Sequence, residues 1–430
     1  MTQRIAHRVV LKNGIVVVAV ENPTADIMTA RLFVKAGSRC ERPDRAGISH
    51  LLAAVMTKGT DGLSSMEIAE RVESVGASLG AETTSDYFLM SLKTVSADFE
   101  DVLSLAGQLL RSPSFPEAEV ELEQRSTLQA IRSQKEQPFS IAFSRLREAM
   151  YGDRPYARST LGTEATVASL TRADLLQFHR TYFRPDNLVV SLAGCWDLEA
   201  AVAAIEKTFG DWEIPDNPIP ALDLAPITSR PQITGLPQDT QQSIVMLGYL
   251  VPSVLAKSDE RVSSEYATLK LLNTYLGNGL SSRLFVELRE KRGLAYDVSA
   301  FYPTRIDTSQ FVVYMGTAPQ NTAVAIEGLR VEVERLTALL LTEEELQTAK
   351  NKLLGQYALG KQTNSQIAQV LGWYETIGLG IEFDEQFPEA IASLTAETAR
   401  RVASRYFIEP YICVVGPASA IGGILPSAVC

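Results

Sequence analysis

Histidine is scarce in this chain. Its 430 residues hold three, His7, His50 and His179, so a histidine-rich metal centre cannot be built from it. The four cysteines, Cys40, Cys195, Cys413 and Cys430, stand far apart without a Cys-x-x-Cys pair. That spacing excludes a zinc knuckle and a disulfide framework, and it suits a reducing compartment. With so few imidazoles and thiolates, the chain is poorly equipped to hold zinc alone. No uncharged apolar run approaches the ~20 residues that a membrane span needs. The opening residues, Met1-Thr2-Gln3-Arg4-Ile5-Ala6-His7, lack the apolar core of a signal peptide. A cytoplasmic location is therefore expected, with no membrane partner. A basic surface is missing too: the net charge is −11, without a long run of either sign, which disfavours nucleic acid as a partner.

What is present is an ordinary globular composition, 46% hydrophobic and 21% charged, with length enough for two to four domains. Residues 8–21 are two apolar runs around Asn13-Gly14, a hairpin signal. Thr29 to Ala36 reads as a further strand, and a helix carrying His50 follows it. Ser64 and Ser65 cap a second helix that stops near Gly76. Strands follow around 78–94, where Tyr87, Leu89 and Ser91 alternate against Phe88, Met90 and Leu92. Helical patterns fill 98–111 and 116–151, the second opening on Pro116-Glu117-Ala118-Glu119 with proline and acids at its positive end. A helix over 171–183, a strand from Leu188 to Ala193 and a helix over 197–209 complete this half. His7 and His179 read as surface or packing residues.

From Trp212 to Gln242 the texture changes to six prolines with little periodicity, which reads as a semi-extended linker. Beyond it the sequence repeats itself. Gly62-Leu63-Ser64-Ser65 recurs as Gly279-Leu280-Ser281-Ser282, and Gly76 is answered by Gly293. Ser169-Leu170-Thr171 leading to Tyr182-Phe183 recurs as Ser393-Leu394-Thr395 leading to Tyr406-Phe407, at the same internal spacing. Pro116-Glu117 and Thr342-Glu343-Glu344 open equivalent long helices. The expected organisation is α+β: an N-terminal domain over 1–211, the linker over 212–242 and a homologous C-terminal domain over 243–430.

Gly47-Ile48-Ser49-His50 with Lys58-Gly59-Thr60 resembles the zinc helix of the inverted-zincin, or M16, peptidases. Ser281-Ser282-Arg283-Leu284-Phe285 leading into Leu288-Arg289-Glu290-Lys291-Arg292-Gly293-Leu294-Ala295-Tyr296 resembles the family's C-terminal domain. The resemblance runs over essentially the whole chain, and its two-copy layout is similar to the M16B subfamily, whose members pair to enclose a chamber. It implies the M16 metallohydrolase fold, with this chain as half of a clamshell. The family pattern His-x-x-Glu-His needs two imidazoles one turn apart and a carboxylate to take a proton from zinc-bound water. Here only His50 stands; the base position is Ala53 and the second imidazole position is Ala54. By the family's spacing the third ligand falls on Ala130, and a supporting acid is matched by Glu123. The resemblance therefore implies a degenerate zinc site and no metal in this chain.

The family's other active-site pair is kept. An arginine and a tyrosine seven residues apart, which reach the peptide held at the zinc, are matched by Arg289 and Tyr296. Both are donors suited to a substrate carbonyl or a developing oxyanion. The resemblance implies a non-catalytic subunit of a processing-protease-like heterodimer that binds extended peptide. The zinc would sit in a partner, a catalytic M16B homologue with intact His-x-x-Glu-His. The glycine-rich loop of the mitochondrial zinc-free subunit is reduced here to Tyr275-Leu276-Gly277-Asn278-Gly279. The other reading is a non-proteolytic scaffold of the same fold, like the core subunits of a respiratory complex. Whether the isolated chain forms a homodimer is left open by the sequence.

Overall fold

The Asn13-Gly14 pair turns the chain as its sequence demands. Strands β1 (Ala6–Val10) and β2 (Val16–Glu21) run antiparallel, with Ala6 opposite Val20 and Val10 opposite Val16. Gly14 takes a φ of 86°, in the left-handed region open to glycine. The computed structural model describes residues 5–222, 224–256, 262–422 and 424; Cys430 lies outside the described residues. Strands β3 (Ile27–Val34), β4 (Ser78–Thr83), β5 (Phe88–Val95) and β6 (Leu188–Gly194) complete a first sheet in the order β1-β2-β6-β3-β5-β4. β2 and β6 pair parallel, and the remaining pairs are antiparallel.

Period-two alternation sorts the two faces. Met28, Ala30, Leu32 and Val34 of β3 and Phe88, Met90 and Leu92 of β5 enter one core. They meet Leu51, Leu52 and Val55 of the His50 helix (Ile48–Val55) and Leu103, Ala106 and Leu110 of the helix Phe99–Arg111. The cap expected at Ser64 is there, in a reciprocal capping box with Glu67, and Thr171 makes a second such box with Asp174.

The second sheet is built from β7 (Ile233–Pro237), β8 (Ser243–Val251), β9 (Asp297–Phe301), β10 (Ser309–Thr317) and β11 (Tyr411–Gly416), in the order β7-β11-β8-β10-β9. β7 and β11 pair parallel and the rest antiparallel. Strand for strand this repeats β2-β6-β3-β5-β4, so the duplication read from short motifs is a duplication of topology. It also corrects the linker. The second copy starts at Ile233, inside the stretch read as linker through Gln242. β7 escapes notice because it is an edge strand with few buried side chains, ending on a proline that only an edge tolerates.

The compact units do not follow the contiguous division at 211 and 243. Unit 1 comprises residues 1–131, 159–223 and 358–382; unit 2 comprises 132–158, 224–357 and 383–430. The run 116–151 is not one helix: it breaks before Pro138 into Glu117–Gln134 and Pro138–Tyr151. The second piece packs in unit 2 across β11 and β8. In return, the helix Asn364–Thr376 packs in unit 1 across β3, β6 and β2. Among the described residues no helix is long and apolar enough to cross a membrane.

Candidate functional site

In unit 1 the site grows from the start of the His50 helix. Helix N-termini leave backbone N–H groups without partners, and here the buried Glu41 carboxylate takes two of them. It accepts from Gly47 N and Ser49 N at 2.9 Å each, and from the Ser49 hydroxyl. This fixes the helix against β4 at the sheet edge. His50 is half-buried, and burial lowers its pKa while the negative charge of Glu123 partly restores it. Glu123 lies on the helix Glu117–Gln134 and pairs with Lys58 at 3.3 Å. Ala53 is buried among core side chains, Ala54 is half-buried, and Ala130 is exposed, seven residues from Glu123 on the same side of the helix Glu117–Gln134. The structure thus gathers His50, Ala53, Ala54, Glu123 and Ala130 onto two helices of one unit.

In unit 2, Arg289 sits in a π-helical segment, Phe285–Glu290, a wide turn that recurs at functional sites. Its guanidinium lies 4.7 Å from the centre of the Phe285 ring, the neighbour one turn back. Nearby charges are committed elsewhere: Glu287 to Lys291 at 2.8 Å, and Arg283 to Glu332 at 2.8 Å. Tyr296 follows Gly293, whose φ is 62°, and leads directly into edge strand β9. Its backbone N–H donates to Gly316 O at 2.9 Å while its side chain stays 64% exposed. Two side chains that donate hydrogen bonds are therefore presented to solvent, one from the π-helical segment and one from the residue just before β9.

The profile described as "Insulinase (Peptidase family M16)" matches residues 16–164, and the one described as "Peptidase M16 inactive domain" matches residues 169–353. An uncharacterized zinc protease of Streptomyces coelicolor is 30% identical over 419 residues, covering 96% of this chain and 89% of that protein. The chain belongs to the M16 peptidase family. The zinc protease YmxG of Bacillus subtilis, itself uncharacterized, is 28% identical over 428 residues, with 98% and 99% covered. Among solved structures, a peptidase M16 inactive domain from Pseudomonas fluorescens superposes with a TM-score of 0.86 at 26% identity, covering 96% of this chain and 98% of that one. The first M16 profile spans His50 through Ala130, and the second spans Arg289 and Tyr296.

Zinc, the metal of the family's active members, does not fit the donors of this M16 chain. Zinc in proteins takes three or four N, O or S donors. His50 offers one imidazole, the methyl groups of Ala54 and Ala130 offer nothing, and Glu123 is already paired with Lys58. Among the described residues, no group of three or more His, Cys, Asp and Glu side chains is placed to hold a metal ion. The roles of three residues at the site were not evident in the sequence. Glu41 acts across a loop on Gly47 and Ser49, six and eight residues on, and Lys58 pairs with a side chain on another helix. Phe285 had a usable signal, the four-residue spacing that puts it beneath Arg289.

Proposed function

We propose that this chain is the zinc-free, substrate-binding subunit of a heterodimeric M16B zinc endopeptidase of the processing-protease type, acting in the cytoplasm. The observation that carries the reading is the pairing of a site with alanines at its donor positions and an Arg289–Tyr296 pair left exposed. The catalytic partner would supply zinc and the general base. This chain's part is to bind and orient. An extended peptide adds as a strand to an open sheet edge, and both β4 beside the His50 helix and β9 beyond Tyr296 are edge strands. The Arg289 guanidinium and the Tyr296 phenol then donate to the scissile carbonyl oxygen and hold the negative charge that grows on it.

The test is co-expression with a homologue carrying intact His-x-x-Glu-His, followed by a peptide-cleavage assay. Cleavage is expected only with both chains present. Arg289→Ala with Tyr296→Phe should lower kcat by about 10²–10³ while the complex stays assembled. Full activity without this chain, or with the double variant, rules the reading out.

A further inference from the structure

The reciprocal placement of two helices says more than where the units divide. Helix Asn364–Thr376, from the second half of the sequence, closes the second face of the first sheet. Ile367, Ala368, Leu371 and Tyr374 are buried there. Gly372 comes so close that a Cβ would lie 2.5 Å from the Phe33 ring and 2.6 Å from Ser191 Cβ. Polar contacts fix its register: Asn22 Nδ2 donates to Asn364 Oδ1 at 2.6 Å, Asn364 Nδ2 donates to Ile27 O at 2.9 Å, and Arg8 pairs with Glu375 at 2.8 Å.

Helix Pro138–Tyr151, from the first half, does the same for the second sheet. Ala142, Leu146, Met150 and Tyr151 share a core with Ile244, Met246, Val312, Tyr411, Cys413 and Val415. A Cβ on Gly248 would lie 2.6 Å from Met150 Sδ. A sheet face that loses such a helix bares an apolar surface too large for water to tolerate.

The stretch between the halves is, by contrast, tied at each end to its own unit. Arg184 donates to Pro215 O at 3.0 Å and to Asn217 O; Arg154 donates to Pro226 O at 2.9 Å. Pro220, Ala221 and Leu222 are exposed between these anchors.

We propose that residues 1–221 and 222–430 are binding partners of one another, each presenting the sheet face that receives a helix of the other, with the exposed Pro220–Leu222 segment serving only as a tether. The kind of partner each half fits is thus a polypeptide carrying that amphipathic helix, whether or not it is covalently joined.

The experiment uses the folded full chain with a specific protease site inserted between Ala221 and Leu222. After quantitative cleavage, the two fragments should co-elute from gel filtration at micromolar concentration as one species of intact mass. Amides of 138–151 and 364–376 should keep their hydrogen-exchange protection. Melting should remain a single transition that becomes concentration-dependent. Gly372→Val or Gly248→Val, introduced in the uncleaved chain where the tether maintains a high effective concentration, should weaken fragment association at least tenfold after cleavage. Separation of the fragments on cleavage, or loss of protection in both helices, overturns the proposal. So does an association that neither valine variant weakens, since something other than the exchanged helices would then hold the halves together.

Discussion

Rebuilding the metal site tests whether the residues around His50 are a zinc site emptied of its donors. The perturbation is Ala54→His with Ala130→Glu, leaving Ala53 in place. Positions 50 and 54 are one turn apart on one helix face, the spacing that brings two imidazoles to one ion. Ala54 is half-buried and Ala130 exposed, so neither larger side chain has to enter the core. Burial already favours the neutral imidazole of His50, the form that binds a metal. With free zinc at about 100 times the dissociation constant, binding to the folded state stabilises by about 2.7 kcal/mol. For a unit of this size that corresponds to a rise in Tm of roughly 5–10 °C. The assays are metal analysis of the purified protein and thermal melting with and without zinc. One zinc per chain and a zinc-dependent Tm are expected, without hydrolysis, because the base position remains alanine. A well-folded double variant that binds no stoichiometric zinc and melts at the same temperature with or without it refutes the reasoning. Adding Ala53→Glu is expected to lower the stability of the metal-free protein by about 1–3 kcal/mol, because Ala53 is 5% exposed and a carboxyl group there has to be desolvated.

Acid should act through His179, whose Nε2–H donates to Leu110 O at 2.9 Å and whose burial pushes its pKa down to about 4. The unfolded imidazole, near 6.5, takes up its proton first, so this contribution is fully present above ~pH 6.5 and is lost towards pH 4, by at most about 3 kcal/mol. Urea unfolding across that range should show the slope, and His179→Gln should flatten it. Glu41→Gln replaces the carboxylate that anchors the His50 helix and is expected to cost about 2–3 kcal/mol, read as a lower urea midpoint at unchanged m-value. Leu146→Ala, at a fully buried position of the exchanged helix, should cost about 3–5 kcal/mol through the cavity it leaves, measured in the same way. Phe285→Leu removes the ring beneath Arg289, worth about 0.5–1 kcal/mol at an exposed site. In the reconstituted peptidase it should lower kcat a few-fold at unchanged KM, and it should add nothing in an Arg289→Ala background.

Local chemistry was legible in the sequence wherever the signal was short-range. The Asn13-Gly14 hairpin and the Ser64 cap rest on contacts within a few residues, and the alternation of Phe88, Met90 and Leu92 follows from the period of the strand itself. The repeat was legible because motif order survives where sequence identity does not. What escaped depends on distant partners. The run 116–151 carries no local sign that its two pieces end in different units, although Pro138 marks the break between them. β7 gains its pairing only from β11, nearly 180 residues on, so composition alone made it a linker. At the site, the spacing of His50, Ala53 and Ala54 on one helix, and of Arg289 and Tyr296, follows from the sequence. The pairing of Lys58 with Glu123 does not, because it depends on how separate segments meet, and the anchoring by Glu41 does not, because it depends on how the loop before the helix folds back on the helix start.

The central position of β6 sets a schedule for the chain as it is made. β6 lies between β2 and β3, so the middle of the first sheet is missing until residue 194 has been synthesised. The face of that sheet stays uncovered until Thr376 has emerged. At ~5–20 residues per second, the wait is on the order of 20–75 s. Until residue 194 the strands of unit 1 stand with a central slot vacant, and until residue 376 with an apolar face open, the arrangements most prone to wrong pairing. A nascent chain of this topology is therefore expected to depend on chaperones until residue 376 is synthesised, and truncations short of it should aggregate even though they contain nearly all of unit 1.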